Sequence, residues 1–360
     1  MSNTLHHIFY VQSGIAYALT LAIIEENAIP SNQVIFLTGR NFRVSSDFQQ
    51  YDMVSWETKK FPLNFLKGWR HIYEVYSYCN QLLDKSNVNQ FKFYTASNTK
   101  TFLLPFFNHK KRIATYFLEE GYTAYFTKEE YTNYITSNFQ SSNDQIFRIK
   151  VAVNTLFLLN MNPLQKIKEL EKYDAIYTCS PESFKWLSTP KKLLTNPFKS
   201  TYTSQLEEVN FLMAFSYPVE KGFIDLDNYL EALKEVFTSI SQAGNRKIHF
   251  KFHPQQTMNA KNLAAYRSLF ESFQPQLEFI ELPNDTTLEF LFSNKNLVLL
   301  TDYSSIILYS EAMKITSISI CNILSSHSDK FHNCYNTLPF YLKEIIQKRS
   351  FNLQRVSLVD

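Results

Sequence analysis

Glycine is scarce in this chain, with only six among 360 residues. No two of them lie close enough to form even a G-x-G motif. This spacing excludes the dinucleotide-binding glycine fingerprint and the P-loop, because both need glycine where backbone amides approach phosphate. Any phosphate that this protein binds must therefore be held in another way.

Cysteine, net charge and long apolar runs are limited too. The four cysteines are scattered with no C-x-x-C pair, which favours reduced, mostly buried thiols in a cytoplasmic protein. A formal net charge of +3 is far from that of a dedicated nucleic-acid binder. No run reaches the ~18 apolar residues of a membrane span, and the amino-terminal apolar run lacks the basic flank of a signal peptide. We therefore expect a cytoplasmic protein with no nucleic-acid partner.

Aromatic and other apolar side chains are abundant instead. Aromatic residues make up 16% of the chain and hydrophobic residues 45%, which indicates a globular rather than a disordered protein. At roughly 100 to 200 residues per domain, the length predicts two domains with sizeable cores.

Short apolar runs alternate with longer amphipathic segments, a pattern typical of βα units around a parallel sheet. Strands are predicted at residues 5–11, 33–37, 91–94, 113–118, 174–178, 209–215, 247–252, 277–280, 297–300 and 317–320. Helices are predicted at residues 15–26, 63–83, 226–240 and 306–312. The expected fold class is therefore α/β.

A segment rich in Pro, Ser, Thr and Lys interrupts this rhythm at residues 188–208 and is interpreted as a linker. We predict a first domain over residues 1–200, a second over 209–340, and a C-terminal helix or tail over 341–360 that could cross back to the first domain. Two such domains would form a ligand cleft between the carboxyl edges of their sheets.

Two adjacent acids and a glycine follow the strand predicted at 113–118, namely Glu119, Glu120 and Gly121. Neighbouring strand residues point to opposite faces, so the two acids cannot have the same role. One can face the cleft as a general base while the other caps a turn or a helix. The alternative is an acidic strand-to-turn corner with no chemical role.

A histidine-rich segment forms the second motif. His249, Lys251 and His253 alternate, so they should share one face of the predicted strand, and Pro254 stops the strand directly afterwards. An imidazole fixed at this edge could donate a hydrogen bond to a phosphate oxygen or protonate a leaving group. A histidine that satisfies a turn carbonyl is the alternative.

The third motif is the polar turn between the strand predicted at 297–300 and the helix predicted at 306–312. It contains Asp302, Ser304 and Ser305. Hydroxyls and free backbone amides at a helix N-terminus bind phosphate without a glycine-rich loop. Ordinary capping of the helix by Asp302 or Ser304 is an alternative compatible with that role.

All three motifs lie at the carboxyl ends of predicted strands, one in the first domain and two in the second. A carboxylate opposite a histidine and a phosphate site is what metal-independent transfer from a nucleotide-activated donor requires. The acid would activate the acceptor hydroxyl, and the opposite side would stabilise the departing phosphate.

The ordered set Glu119-Glu120-Gly121, His253-Pro254 and Ser304-Ser305 resembles the motifs of bacterial inverting sialyltransferases of the GT-B fold. This family includes lipooligosaccharide sialyltransferases and capsule polysialyltransferases. The resemblance extends to residues 288–291, where family members can carry a glutamate, here Glu289, that contacts the cytidine ribose. It implies two Rossmann-like βα domains that face each other across a cleft.

The resemblance also implies residue roles. Glu120, next to the glycine, would be the general base, although Glu119 stays open because some family members carry the shorter Asp in this motif. His253 would contact the donor phosphate and assist the departure of CMP. The implied catalytic residues are thus Glu120, Glu119 and His253, and the donor-binding residues are Pro254, Glu289, Ser304, Ser305, Lys251 and Gly121. Lys251 or an uncharged amide would pair with the carboxylate of the donor sugar.

The implied substrates are CMP-sialic acid, or a related CMP-nonulosonic acid, and an oligosaccharide or lipid-linked glycan acceptor. A lipid-linked acceptor would bring the protein into peripheral contact with the inner membrane. No metal or other cofactor is expected, since Asp225 and Asp227 lie at the start of a predicted helix and are interpreted as its cap. Two alternatives stay open, a CMP-Kdo or CMP-pseudaminic acid transferase and a non-catalytic glycan- or nucleotide-binding subunit of a capsule assembly complex.

Overall fold

The computed structural model describes residues 4–40, 42–58, 65–97, 100–138, 170–194, 197–198, 209–244, 246–283 and 286–352. The chain divides into two compact units, Met1–Pro197 and Phe198–Asp360. Each unit is built on a parallel sheet whose strands are connected through helices. The expected α/β class is confirmed.

The first unit contains a seven-stranded sheet in the order β3-β2-β1-β4-β5-β6-β7. Its strands are β1 Leu5–Val11, β2 Val34–Thr38, β3 Gln49–Asp52, β4 Gln90–Thr95, β5 Arg112–Leu118, β6 Ala175–Thr178 and β7 Lys191–Leu193. Its described α-helices are α1 Gly14–Glu26, α2 Val54–Thr58, α3 Phe65–Lys85, α4 Leu104–Asn108 and α5 Lys128–Asn138.

Both faces of this sheet are covered, which explains why the central strands are almost continuously apolar. Ile8 and Tyr10 of β1 pack in a buried cluster with Leu82 of α3 and Phe106 of α4. The alternate face of the sheet carries Phe36, whose ring lies against Tyr17 of α1 at 5.8 Å. Helices thus lie on both sides of the sheet, and only the ends of the strands are left for a ligand.

The second unit contains a five-stranded sheet in the order β10-β9-β8-β11-β12. Its strands are β8 Phe211–Met213, β9 Arg246–Phe250, β10 Leu277–Glu281, β11 Val298–Thr301 and β12 Thr316–Ser319. Its described α-helices are α6 Leu226–Gln242, α7 Pro254–Thr257, α8 Ala260–Ser272, α9 Ile306–Ala312, α10 Cys321–His327, α11 Asp329–Asn336 and α12 Phe340–Lys348.

Most of the predicted elements are confirmed, and β1 and α9 have the predicted bounds. One error lies in the proposed linker, because Lys191–Leu193 forms β7 and pairs with β6. Lysines are common on sheet edges, where their charged ends stay in solvent. The ammonium of Lys192 lies 5.1 Å from the centre of the Tyr177 ring, so its stem covers this side of the sheet. Residues 195–196 and 199–208 of the predicted linker lie outside the described residues.

The strand predicted at 247–252 is also too long, since β9 ends at Phe250. The predicted common strand face of His249, Lys251 and His253 is therefore wrong. Pro254 cannot continue a ladder, and His253 before it has φ −66° and ψ 143°. The chain leaves the sheet, and Lys251 donates instead to the carbonyl of Thr286 at 2.6 Å.

The C-terminal helix α12 packs against α9 and β12 within the second unit. Glu311 of α9 pairs with Lys348 at 2.7 Å and with Arg349. Residues 353–360 of the predicted tail lie outside the described residues, so its return to the first domain stays a prediction. None of the helices described here is long and apolar enough to span a membrane.

Substitution Phe270→Ala should destabilise the second unit by about 3 to 5 kcal/mol. Phe270 of α8 is buried, and its ring lies 4.6 Å from Phe279 and 5.0 Å from Phe250. Urea unfolding measures the loss. Phe340→Ala is the control, since Phe340 is 66% exposed and should change stability by less than about 0.5 kcal/mol. Equal effects of the two substitutions would contradict the assigned core.

Candidate functional site

Both sheets have a point where the chain order reverses, between β1 and β4 in the first unit and between β8 and β11 in the second. At such a point the loops after the two central strands lead in opposite directions and leave a crevice at the carboxyl ends. The acid motif follows β5 in the first unit. The histidine and serine motifs follow β9 and β11 in the second.

Glu120 is held by a side chain that directly follows the first strand. Gln12 follows β1 and donates from Nε2 to Glu120 Oε2 at 2.9 Å. The Tyr10 hydroxyl donates to Gln12 Oε1 at 3.1 Å, which fixes the amide in this orientation. Glu120 is half-buried, so its carboxylate is positioned and retains access to solvent.

Glu119 has a different environment, as the alternation of the two acids predicted. It is fully buried and accepts hydrogen bonds from the Tyr125 hydroxyl at 2.6 Å and the Cys179 amide at 2.9 Å. Burial raises the pKa of its carboxyl group, while these hydrogen bonds oppose the rise. Glu119 therefore ties the end of β5 to the residue after β6 and has no access to a substrate.

Gly121 supplies a backbone conformation that the turn requires. Its φ is +66° and its ψ is −172°, a region occupied essentially by glycine alone. The chain then enters a 3-10 helix, Tyr122–Tyr125, whose last tyrosine reaches back to Glu119. The glycine thus sets the direction in which the chain leaves both acids.

In the second unit, Asp302 connects the two loops at the reversal point. It follows β11, is fully buried, and accepts hydrogen bonds from the Ser216 amide at 3.0 Å and the Ser216 hydroxyl at 2.8 Å. Its Oδ1 also accepts from the Ser304 amide at 3.0 Å. Burial raises the pKa of Asp302 to about 6, with the hydrogen bonds opposing the rise.

Of the two residues predicted to cap the helix after β11, Ser304 makes the capping contact and Asp302 does not. Ser305 is the N-cap residue of α9, and its side chain makes no capping hydrogen bond. Ser304 Oγ lies 3.5 Å from the Ile306 amide, which is the limit of a hydrogen bond. Asp302 instead binds across to Ser216, and both Ser304 and Ser305 are left half-exposed.

His253 is oriented by two residues that follow it in α7 and by an aromatic ring. Its Nδ1 accepts from the Gln255 amide at 3.2 Å, and its own amide donates to Gln256 Oε1 at 2.8 Å. Its ring stacks on Tyr217 with centroids 4.1 Å apart. Because Nδ1 is an acceptor, the neutral ring carries its proton on Nε2.

The pKa of His253 is lowered to about 4, first by burial and then by the charge of Lys221. The imidazole is therefore neutral at pH 7 in the unliganded protein. It can donate one hydrogen bond from Nε2, but it holds no extra proton to deliver to a leaving group. Of the two expected roles, the hydrogen-bond donor fits this environment.

Lys221 and Tyr217 lie beside the candidate residue His253, and the sequence motifs did not include them. The Lys221 ammonium lies 4.8 Å from the centre of the Tyr217 ring. Tyr217 directly follows Ser216, so it links the stacked His253 to the loop that Asp302 holds. The histidine and serine motifs are thereby connected through Tyr217, Ser216 and Asp302. In the sequence, only one feature could have pointed to Lys221 and Tyr217, namely their position in the turn after β8, which contains Pro218 and Gly222.

The remaining predicted residues have clear positions. Pro254 is the first residue of α7, and Glu289 lies half-buried in the first turn of the 3-10 helix Leu288–Ser293. Asp225 is the N-cap residue of α6 without a side-chain capping bond, and it binds Lys330 at 3.2 Å instead. The described residues contain no group of three His, Cys, Asp or Glu side chains that could hold a metal ion.

No protein-family model matches the chain, and no curated protein sequence matches it. Several solved structures are similar to it. A doubly substituted Os79 from O. sativa in complex with UDP has a TM-score of 0.50 at 9% identity, over 98% of this chain and 94% of the other. MnaA from S. aureus with UDP has a TM-score of 0.49 at 11% identity, over 99% of this chain and 86% of the other. UDP-GlcNAc 2-epimerase from Methanocaldococcus jannaschii has a TM-score of 0.45 at 10% identity, over 99% of this chain and 91% of the other.

The similarity to Os79, together with the two reversed-order parallel sheets, shows an α/β two-domain GT-B fold. At 9% identity it shows the fold alone. Glycosyl transfer and the choice of donor nucleotide must therefore be argued from the site residues.

Gly121→Ala should destabilise the first unit by about 1 to 3 kcal/mol. A Cβ at this position would meet no atom within 4 Å, so the cost comes from the backbone conformation and not from a clash. Urea unfolding followed by circular dichroism measures the change. Wild-type stability in this variant would contradict the assigned conformation.

Lys221→Gln should raise the pKa of His253 above its value of about 4, because the substitution removes a nearby positive charge. An NMR titration of the His253 ring measures this pKa directly. Lys234→Gln is the matched control, since Lys234 is an exposed lysine on α6 paired with Glu231. An unchanged His253 pKa in Lys221→Gln would show that the two side chains are not neighbours.

Proposed function

We propose that this protein is an inverting, metal-independent glycosyltransferase that moves sialic acid, or a related nonulosonic acid, from its CMP donor to a hydroxyl of a bacterial surface glycan. The observation that carries the proposal is the ordered set of acid, histidine and serine motifs at strand ends of a two-domain GT-B fold. The surface glycan would be a lipooligosaccharide or a capsule polysaccharide.

Glu120 is the proposed general base. Its carboxylate is half-buried and held by Gln12. The neighbouring Glu119 is buried, and its carboxylate is occupied by hydrogen bonds from Tyr125 and Cys179. In the proposed step, Glu120 takes the proton of the acceptor hydroxyl as the acceptor oxygen bonds to the anomeric carbon of the donor. The anomeric carbon–oxygen bond to CMP breaks, and the electron pair leaves with the phosphate. Attack on the face opposite CMP inverts the anomeric configuration.

The second unit is proposed to stabilise the departing phosphate. His253 offers the proton on Nε2 as a hydrogen-bond donor, and Ser304 and Ser305 offer hydroxyl groups. Lys221, whose charge acts on His253, adds a positive charge. Donors placed in advance at a developing negative charge lower the barrier without further rearrangement. This arrangement suits CMP, which leaves as a phosphate monoester and gains negative charge.

Two donor contacts rest on the family resemblance. Glu289 is proposed to bind the cytidine ribose from the 3-10 helix Leu288–Ser293. Lys251 is one candidate for the carboxylate of the sugar, and its ammonium would have to give up the Thr286 carbonyl to reach it. An uncharged backbone amide is the other candidate.

A donor screen tests the proposal. CMP release is measured from CMP-sialic acid, CMP-Kdo and CMP-pseudaminic acid, with and without simple galactosides. UDP-sugars belong in the same screen, because Os79 was solved with UDP. Release from CMP-Kdo alone would assign the alternative donor, and release of UDP would overturn the choice of nucleotide. Release from none of the donors would favour the non-catalytic binding subunit.

Glu120→Gln should reduce transfer by about 10² to 10⁴-fold, because an amide cannot accept the proton of the acceptor. Binding of CMP, measured by calorimetry, should stay near the wild-type value. Glu129→Gln is the matched control, since Glu129 is an exposed glutamate in the first turn of α5. Unchanged transfer in Glu120→Gln would overturn the assignment of the base.

A further inference from the structure

Two exposed tyrosines flank a buried phenylalanine directly after the acid motif. Tyr122 is 36% exposed and Tyr134 is 39% exposed, whereas Phe126 between them is 7% exposed. The ring centres of Tyr122 and Phe126 are 5.6 Å apart, and those of Phe126 and Tyr134 are 5.5 Å apart. We call these three residues the aromatic platform.

The platform is fixed at both ends. Tyr125, in the same 3-10 helix as Tyr122, is anchored to buried Glu119. Helix α5, which carries Tyr134, begins with a reciprocal cap in which Thr127 Oγ1 accepts from the Glu130 amide and Glu130 Oε2 accepts from the Thr127 amide. Both tyrosines therefore project from backbone whose position is set before any ligand arrives.

Further contacts hold α5 and the 3-10 helix before it in place. The Tyr131 ring lies 5.4 Å from Trp186, and the Phe184 amide donates to the Ala124 carbonyl at 2.6 Å. These contacts join the platform segment to the chain that follows β6. Rigid aromatic surfaces of this kind bind a ligand at a low cost in side-chain entropy.

The platform adjoins the candidate base. Tyr122 is two residues beyond Glu120, and the Thr123 hydroxyl donates to the Glu120 carbonyl at 3.3 Å. A ligand resting on Tyr122 would therefore lie beside the turn that carries Glu120. In the proposed reaction, the molecule that must approach Glu120 is the acceptor, because its hydroxyl is deprotonated there.

We propose that the aromatic platform binds a pyranose ring of the acceptor glycan, with Tyr122 nearest to the sugar that presents the reacting hydroxyl. Several C–H groups line one face of a galactopyranose ring, and this face can lie on an aromatic ring while the sugar hydroxyls remain in water. The inference rests on the proposed function for its choice of an acceptor over other glycans.

This assignment separates the recognition of the two substrates within the chain. The platform contains aromatic rings but no cation, so it suits an uncharged sugar better than a nucleotide phosphate. Loss of a platform ring should weaken the acceptor and leave the donor unaffected. A merely structural role for these tyrosines would instead change stability or both substrates together.

The test measures the binding of lactose and of methyl β-galactoside by saturation-transfer NMR, which needs no donor and no turnover. Tyr122→Ala and Tyr134→Ala should each weaken binding by about tenfold, whereas Tyr134→Phe should retain most of it because the ring remains. Tyr73→Ala is the matched control, since Tyr73 is a 71% exposed tyrosine of α3 in the same unit. Thermal unfolding of each variant checks that it is folded.

The outcomes separate this inference from the proposed function. If CMP-sugars are turned over but the galactoside KM is the same in all four variants, the platform assignment is overturned and the transferase remains. If no CMP-sugar is turned over but galactoside binding is lost in Tyr122→Ala, the transferase fails and the glycan site stands. Absence of galactoside binding to the wild-type protein overturns the inference, as does equal weakening by Tyr73→Ala.

Discussion

The buried carboxylate of Asp302 is the contact on which the second unit's site depends. A parallel sheet leaves its strand-end loops without partners in the ladder, and at the reversal point these loops lead in opposite directions. Asp302 spans them by accepting hydrogen bonds from Ser216 and Ser304. The Ser216 loop then presents Tyr217, on which His253 stacks. Three separate segments of chain therefore share one anchor.

Glu119 performs a comparable task in the first unit. It joins the end of β5, the residue after β6 and the 3-10 helix through a single enclosed carboxylate. Each unit thus uses a buried acid to hold the exposed groups beside it. In a chain with six glycines, this is a physical substitute for loops whose backbone amides would otherwise have to converge on a ligand.

Much of the fold was predictable, because β1, β11 and α9 are apolar segments bounded by polar turns. The polar edge strands β3 and β7 could not be predicted, since their stability comes from pairing with a buried neighbour and not from their own composition. The end of β9 at Phe250 could not be predicted either, because the chain after it leaves the sheet and Lys251 binds the Thr286 carbonyl. Local patterns specify the core strands, and tertiary contacts decide the edges.

The candidate site was likewise predictable only in part, from local patterns and not from tertiary contacts. The sequence placed Glu119, Glu120, His253 and Ser304 at strand ends, because such positions follow from the strand pattern alone. It did not show that Glu119 is enclosed, nor that Glu120 is held by Gln12, which lies 108 residues earlier in the chain. Nor did it show that burial and Lys221 keep His253 neutral. These properties arise only from packing between distant segments.

The division into two units has an optical consequence. All three tryptophans, Trp56, Trp69 and Trp186, lie in the first unit. Indole emission therefore follows the environment of that unit alone, while the second unit contributes only tyrosine signal. Comparing indole emission with far-ultraviolet circular dichroism would reveal whether the two units unfold together or in separate steps. Because Trp186 contacts Tyr131 on α5, its emission also reports on the segment beside Glu120.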